Sequence, residues 1–255
     1  MITSREEEAV ERAARLLRRA RYSVALTGAG MSTSSGIPDF RSPGSGLWED
    51  VDPFNVASLY AFRRQPRAFY AWIHPLAQVL RDALPNPGHI ALARLEAAGY
   101  LRAVITQNID NLHQEAGSLE VLEVHGHLRS ATCVDCYCIR PGGALLRRFL
   151  ADRAVPRCTE CGGVMKPDVV LFGEQLPVDV VNTALMHVAN ADLMLVAGSS
   201  LEVAPVSQLP IRIHRQGGRL IVVNLESTYV DDEADVVIHG DVATVLPSIA
   251  RACGC

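Results

Sequence analysis

The chain carries two C-x-x-C pairs, Cys133/Cys136 and Cys158/Cys161, with 21 residues between them. Each pair can present two sulfur atoms to one cation from a tight turn, and Zn²⁺ prefers four such ligands in a tetrahedron. Four thiolates leave no open coordination position, so the pattern predicts a structural zinc site. A segment that must close around a metal can form only a small module inside the longer chain. Cys138 lies outside the paired spacing, and we expect it to stay unligated.

Composition excludes several classes of protein. The chain has 255 residues, of which 49% are hydrophobic, and a net charge of −4, so it can build a sizeable core but has no basic field for nucleic acid. Residues 5–20 carry charged side chains throughout and have no apolar core, unlike a secretion signal, and no apolar run is long enough to span a membrane. Cysteines without such a signal indicate a reducing compartment. We expect a cytoplasmic protein without membrane or direct nucleic-acid partners. Its oligomeric state is left open, with a monomer favoured.

Strand-like and helix-like segments alternate along most of the chain. The strand-like segments are 23–27, 101–106, 192–197, 220–224 and 236–239. Alternation of this kind predicts an α/β fold with a mostly parallel, doubly wound, Rossmann-like sheet. Ligands of such sheets bind at the C-terminal ends of the strands, so we expect one site at the edge where four polar or small residues follow strands: Gly28, Gln107, Gly198 and Asn224.

The pattern also suggests how the chain divides. We expect a Rossmann-like large domain from 1–41, 86–126 and 167–255. A small domain would combine a helical module, residues 42–85, with a zinc-binding module, residues 127–166. The helical module reads as helix over 56–83 and holds most of the aromatic residues.

The turn Gly28-Ala29-Gly30 follows the first strand. Small residues there let the backbone approach a pyrophosphate, and a following helix N-terminus offers N–H donors. Thr33 replaces the third glycine of the G-x-G-x-x-G pattern, so a plain tight turn remains the alternative. Similarly, Asp110 alone could cap a turn, and a histidine such as His125 before a turn is more often structural.

Several further segments follow in order: Gly36–Ser42, Thr106–His113, His125-Gly126, Lys166–Glu174, Gly198–Leu201 and Asn224–Glu226. Together with the first glycine turn they resemble the sirtuins, the NAD-dependent protein deacylases, from about residue 23 to about residue 250. The resemblance implies an NAD-dependent protein lysine deacetylase with NAD and Zn²⁺ as cofactors and acyl-lysine proteins or peptides as substrates. Its products would be nicotinamide, free lysine and O-acetyl-ADP-ribose. The alternatives are an ADP-ribosyltransferase or a long-chain deacylase on the same site, or a catalytically silent NAD-sensing module.

The resemblance also implies a role for individual residues. His125 would be the general base for a ribose hydroxyl, Asn108 would order its surroundings, and Asp110 would hold the nicotinamide carboxamide. Phe40 would shield the reacting ribose from water. The implied cofactor-binding residues are Gly28, Ala29, Gly30, Thr33, Phe40, Arg41, Gln107, Asn108, Ile109, Asp110, Gly198, Ser199, Ser200, Asn224, Leu225, Glu226 and Val242. A peptide would add as a strand in a substrate channel lined by Val170, Phe172 and Val203.

The helical module suggests the preferred acyl group. Sirtuins that remove succinyl or malonyl groups resemble one another in a Tyr-x-x-Arg whose arginine pairs with the acyl carboxylate. Here Tyr70 is present, but Ile73 stands three residues later. The sequence therefore predicts deacetylation well above desuccinylation.

Overall fold

The computed structural model describes residues 4–39 and 52–255. Phe40, Arg41 and the start of the predicted helical module lie outside these ranges. Within them the helices are α1 (Ser4–Arg19), α2 (Pro53–Val56), α3 (Leu59–Arg64), α4 (Pro66–Asp82), α5 (Pro87–Ala97), α6 (Leu112–Glu115), α7 (Gly142–Asp152), α8 (Val178–Asn190), α9 (Leu209–Arg215) and α10 (Val242–Cys253). The strands are β1 (Ser23–Thr27), β2 (Ala103–Thr106), β3 (Val121–Glu123), β4 (Gly126–Cys133), β5 (Ile139–Pro141), β6 (Met165–Val169), β7 (Leu193–Ala197), β8 (Arg219–Asn224) and β9 (Val236–His239).

The larger sheet has the strand order β3-β2-β1-β7-β8-β9, and every neighbouring pair is parallel. Numbered within this sheet alone, the order is 3-2-1-4-5-6, the arrangement of Rossmann-like domains. The order reverses between β1 and β7, and ligands of such sheets bind in the crevice at that point. The predicted doubly wound parallel sheet is therefore confirmed.

Helices cover this sheet on both faces. Ala25 of β1 belongs to one apolar cluster with residues of α1, α5 and α10, whereas Val24 and Leu26 belong to a second cluster with residues of α8 and α9. A strand buried on both faces needs an unbroken apolar run rather than an alternating pattern, as these strand sequences show.

Helix α5 is held against the first glycine turn by its own cap. The Asn86 carboxamide oxygen accepts from the backbone N–H of Gly88 at 2.9 Å, and Pro87 opens the helix. The same side chain donates through Nδ2 to the carbonyl of Met31 at 2.8 Å. One residue therefore fixes both the helix start and the turn.

The smaller sheet is antiparallel with the order β5-β4-β6. An apolar cluster that includes Phe69, Tyr70 and Phe149 packs α4 against α7 beside it. The helix predicted over 56–83 is divided, because Gln65 precedes Pro66 and leaves the helical region at φ −138° and ψ 64°. None of the helices in residues 4–39 and 52–255 combines the length and apolar character needed to cross a bilayer.

Candidate active site and zinc site

The ends of β1, β2 and β7 meet at the switch point of the sheet. The backbone N–H of Gln107 donates to the carbonyl of Thr27 at 3.0 Å, and its side-chain amide donates to the Ser199 hydroxyl at 3.0 Å. The backbone N–H of Gly198 donates to Val223, the residue before Asn224, at 2.9 Å. The four strand-end positions predicted from the sequence therefore share one edge.

The glycines allow two strand-end turns to touch through their backbones. A Cβ added at Gly30 would lie 3.0 Å from the carbonyl oxygen of Gly198, and one added at Gly28 would lie 2.9 Å from the Ser199 side chain. Gly198 has φ +59°, and a Cβ there would lie 2.3 Å from the backbone nitrogen of Met31. This backbone floor without side chains suits a pyrophosphate. The sequence interpretation missed that the glycines are also needed for the contact between the turns.

A buried hydroxyl joins the two catalytic candidates of the β2 loop. The Asn108 amide donates to the carbonyl of Gly28 at 2.9 Å and to the Ser32 hydroxyl at 3.1 Å. Ser32 in turn donates to Asp110 Oδ2 at 2.6 Å, and the backbone N–H of Leu112 donates to Oδ1 at 2.9 Å. Burial raises the pKa of Asp110, although both donors oppose the shift. Sequence reasoning missed Ser32, because nothing distinguishes it from its neighbours Thr33 and Ser34.

His125 lies between β3 and β4, and one contact determines which of its ring nitrogens carries the proton. Its Nδ1 lies 3.2 Å from the carbonyl oxygen of Gln107. Because a carbonyl only accepts, Nδ1 carries the proton, and the lone pair is on Nε2. Burial lowers the pKa of His125, while the Gln107 carbonyl acts in the opposite direction. The imidazole is therefore neutral near pH 7 and has a basic nitrogen available.

The predicted substrate segment that contains Val170 and Phe172 is hydrogen-bonded to the backbone of His125. The backbone N–H of Val170 donates to the carbonyl of His125 at 2.8 Å. Phe172 exchanges both backbone hydrogen bonds with residues 57–59, so these groups are not free for a peptide. Lys166 and Glu174, to which the sequence reasoning gave no role, form an ion pair at 3.0 Å across this segment.

The remaining predicted ligands differ in how they are presented. Leu225, Glu226 and Ser200 are exposed beyond the strand ends, while Ala29, Thr33, Ile109 and Val203 are half-buried. Val242 is 3% exposed and packs in the core at the start of α10, so only its backbone could contact a nucleotide. Its predicted part in holding the nucleotide stays a prediction, through the backbone.

The four paired cysteines form a cluster that fits one metal ion. Their sulfur atoms all lie within 4.8 Å of one another, with Cys133 and Cys161 at 3.5 Å and Cys136 and Cys158 at 3.7 Å. Tetrahedral Zn–S bonds of about 2.3 Å place sulfur atoms about 3.8 Å apart. Backbone N–H groups two residues beyond each of three cysteines point at sulfur: Cys133, Cys158 and Cys161. The donor set fits Zn²⁺.

Cys138 tests whether the ligand set is the predicted one, because its sulfur lies 3.2 Å from that of Cys158. We expect Cys138→Ser to retain one zinc per chain, since four thiolates already complete the tetrahedron. The matched variant Cys136→Ser should bind less than one zinc ion per chain. Metal analysis of the two purified proteins makes the comparison, and zinc loss from the Cys138 variant alone would reverse the assignment.

Comparison with known proteins places this geometry in a family. The model of the Sir2 family matches residues 28–205. An NAD-dependent protein deacetylase of Caldivirga maquilingensis is 47% identical over 232 residues, covering 91% of this chain and 89% of the relative. A Sir2 complex with a p53 peptide and NAD⁺ has a TM-score of 0.86 at 40% identity, covering 94% of this chain and 96% of the other. A Sir2 variant with a deacetylated p53 peptide and 3′-O-acetyl ADP-ribose has a TM-score of 0.89 at 38% identity, covering 95% and 97%. The chain belongs to the Sir2 family.

Proposed function

We propose that this protein is an NAD-dependent protein lysine deacetylase that releases nicotinamide and O-acetyl-ADP-ribose. The observation that carries the proposal is the position of His125. Its neutral ring is hydrogen-bonded to Gln107 at the dinucleotide crevice, and its carbonyl is bonded to the segment that would bind the peptide. A base held between cofactor and substrate is what activation of a ribose hydroxyl requires.

Bound NAD would supply the electrophilic ribose carbon and nicotinamide as leaving group. Gln107 would contact the nicotinamide ribose, and Ile109 and Asp110 would hold the carboxamide. Because Asn108 and Ser32 fix the orientation of Asp110, that contact is preorganised. His125 would take the ribose proton on Nε2, and the Gln107 carbonyl would stabilise the resulting imidazolium through Nδ1–H.

The zinc site would act on structure alone. The ion would be held in a closed shell by four cysteines on the stretch of chain from the end of β4 to the start of β6: Cys133, Cys136, Cys158 and Cys161. The protein would divide into a large and a small domain at the boundaries given above. It would be cytoplasmic and monomeric. Size-exclusion chromatography with light scattering tests the last of these.

The activity is tested with NAD and matched acetyl-lysine and unmodified peptides, followed by mass spectrometry. We expect peptide-dependent nicotinamide release, a peptide lighter by one acetyl group and O-acetyl-ADP-ribose. ADP-ribose attached to protein would favour the transferase alternative. NAD binding without any nicotinamide release would instead identify a binding module.

The acyl preference gives a second test of this function. In the structure Tyr70 is 6% exposed and its hydroxyl donates to the carbonyl of Met165 at 2.5 Å, while Ile73 is buried in the same apolar cluster. Neither side chain offers a cation to a succinyl carboxylate, which would be desolvated without a partner. We expect kcat/KM on an acetyl-lysine peptide to be at least tenfold above that on the succinyl peptide of the same sequence. Ile73→Arg should narrow the difference; equal values for the wild type would contradict the prediction.

A further inference from the structure

Two buried histidines outside the proposed reaction each have a ring nitrogen without a partner among the described residues. His89 on α5 is 0% exposed and His113 on α6 is 1% exposed. Their ring centroids are 4.9 Å apart, and the rings are inclined at 62°. The unpartnered atoms are Nε2 of His89 and Nδ1 of His113. Buried polar atoms are almost always hydrogen-bonded, so two such atoms on adjacent rings call for an explanation.

The protonation of His89 follows from its helix cap. The backbone N–H of Asn86 donates to His89 Nδ1 at 3.3 Å, as the second half of the capping box of α5. A backbone amide can only donate, so Nδ1 is unprotonated and Nε2 carries the hydrogen of the neutral ring. Burial lowers the pKa of His89 to about 4, which keeps it neutral.

His113 can accept a hydrogen bond from His89 through Nδ1 and donate one to Thr27 through Nε2. If its Nδ1 accepts from His89, then its Nε2 carries the hydrogen, and Nε2 lies 2.9 Å from the Thr27 hydroxyl. Burial, followed by the neighbouring His89, lowers the pKa of His113 well below its usual value. Both rings are then neutral and protonated at Nε2.

Two threonines continue the chain of hydrogen bonds to the active-site loop. The Thr27 hydroxyl donates to the Thr106 hydroxyl at 2.8 Å. Thr106 also accepts from the backbone N–H of Asn108 at 3.1 Å. At the opposite end Asn86 donates to the carbonyl of Met31 and to the Ser35 hydroxyl, within the first glycine turn. With a bond between the two histidines, these contacts would join both loops that form the proposed nicotinamide end of the site.

We propose that Asn86, His89, His113, Thr27 and Thr106 form one buried hydrogen-bond relay that positions the Asn108 turn against the first glycine turn. The relay is closed when a small rotation of the adjacent rings brings His89 Nε2–H onto His113 Nδ1, a bond that the rings as placed do not make. The two histidines are positioning residues, because they act on the reaction through Thr106 and Asn108. This inference deepens the proposed function and rests on it for its kinetic consequences. Its hydrogen-bond pattern is testable without any activity.

The first experiment reads the protonation states directly. ¹⁵N NMR of the histidine-labelled protein at pH 7 should show His89 and His113 as neutral rings protonated at Nε2, with exchange-protected protons. Thr27→Val should shift the His113 resonances, since it removes the acceptor. A ring protonated at Nδ1, or a charged ring at either position, overturns the relay whatever the enzyme does.

The second experiment separates positioning from stability. His113→Leu should lower kcat with NAD and acetyl-peptide about tenfold, as expected for a broken buried hydrogen bond. The dissociation constant for ADP-ribose should change less than twofold, because that ligand lacks the nicotinamide that the loop after Asn108 would hold. His113→Gln supplies both a carbonyl that accepts and an amide that donates, and it should recover most of the loss.

Matched controls keep the outcome decisive. Thr106→Val and Thr106→Ser repeat the comparison one step closer to Asn108, with the serine variant retaining the hydroxyl. Thr183→Val removes the hydroxyl of a half-buried threonine that donates to the carbonyl of Asp179 within α8, and it should leave activity unchanged. All assays run well below each variant's Tm. Unchanged kcat in folded His113→Leu, or no recovery by glutamine, overturns the positioning role, whereas an inactive wild type would contradict the proposed function instead.

Discussion

Replacing His125 with alanine is expected to lower deacetylation by about 10²–10⁴-fold, the usual contribution of a general base. The ring supplies Nε2 to the reaction and is not an anchor for the dinucleotide, whose predicted ligands lie on the ends of β1, β2, β7 and β8. NAD affinity should therefore change little. Single-turnover kinetics with an acetyl-lysine peptide and calorimetric titration with NAD measure the two quantities. A variant with near wild-type turnover would exclude His125 as the base.

The pH dependence of the wild type provides a second readout of the same residue. His125 must be neutral to accept a proton, and burial lowers its pKa. The acid limb of the kcat/KM profile should then have its midpoint below pH 6.5, the ordinary pKa of histidine. This limb should disappear in the alanine variant. His214→Ala changes a half-exposed histidine paired with Glu233 on the surface and serves as the control. A limb above pH 6.5 would contradict the assigned environment.

Removing zinc is expected to abolish activity as well, through unfolding of the zinc-binding module. Binding of a structural zinc contributes about 10–16 kcal/mol in zinc-finger peptides, more than the few hydrogen bonds of a small sheet can replace. Cys133 and Cys158 are buried within the module, so without metal their thiolates would lose their counter-charge. We expect Cys158→Ser, or chelation of the wild type, to open residues 133–161 to proteolysis and to eliminate turnover.

The control for that experiment is Cys255→Ser, which changes a cysteine at the far end of the chain. It should keep one zinc, the proteolysis pattern and the activity of the wild type. The larger sheet should survive in the metal-free protein, because its two apolar clusters contain no residue of the zinc-binding module. Full activity of zinc-free protein would refute the structural role.

The sequence predicted the sheet well, because each strand buried on both faces is a continuous apolar run, such as Val24-Ala25-Leu26. Strand β3 was missed, since Val121–Glu123 is too short for any periodicity to show. The predicted long helix is broken before Pro66. Because a proline disfavours helical geometry in the residue before it, the break at Gln65 could have been predicted, although the apolar periodicity continues through it.

The candidate site was predicted less completely. The motifs identified the residues at the strand ends, yet the hydrogen bonds between them join residues about 80 positions apart, such as Asn108 and Gly28. No local pattern records such pairs. The contacts of Ser32, Lys166 and Glu174 could be recognised only in the structure, because their partners are distant in sequence or carry no motif. For Val242 the sequence does not say whether the side chain or the backbone would contact the nucleotide, and the structure buries the side chain.

The bond between Val170 and His125 lies one residue beyond the pairing of Gly126 with Val169, which joins β4 to β6. His125 and the peptide-binding segment are therefore joined at the end of the same strand pair, by neighbouring hydrogen bonds. Any displacement of this strand pair therefore moves the base and the peptide-binding segment together, and the distance between them is kept.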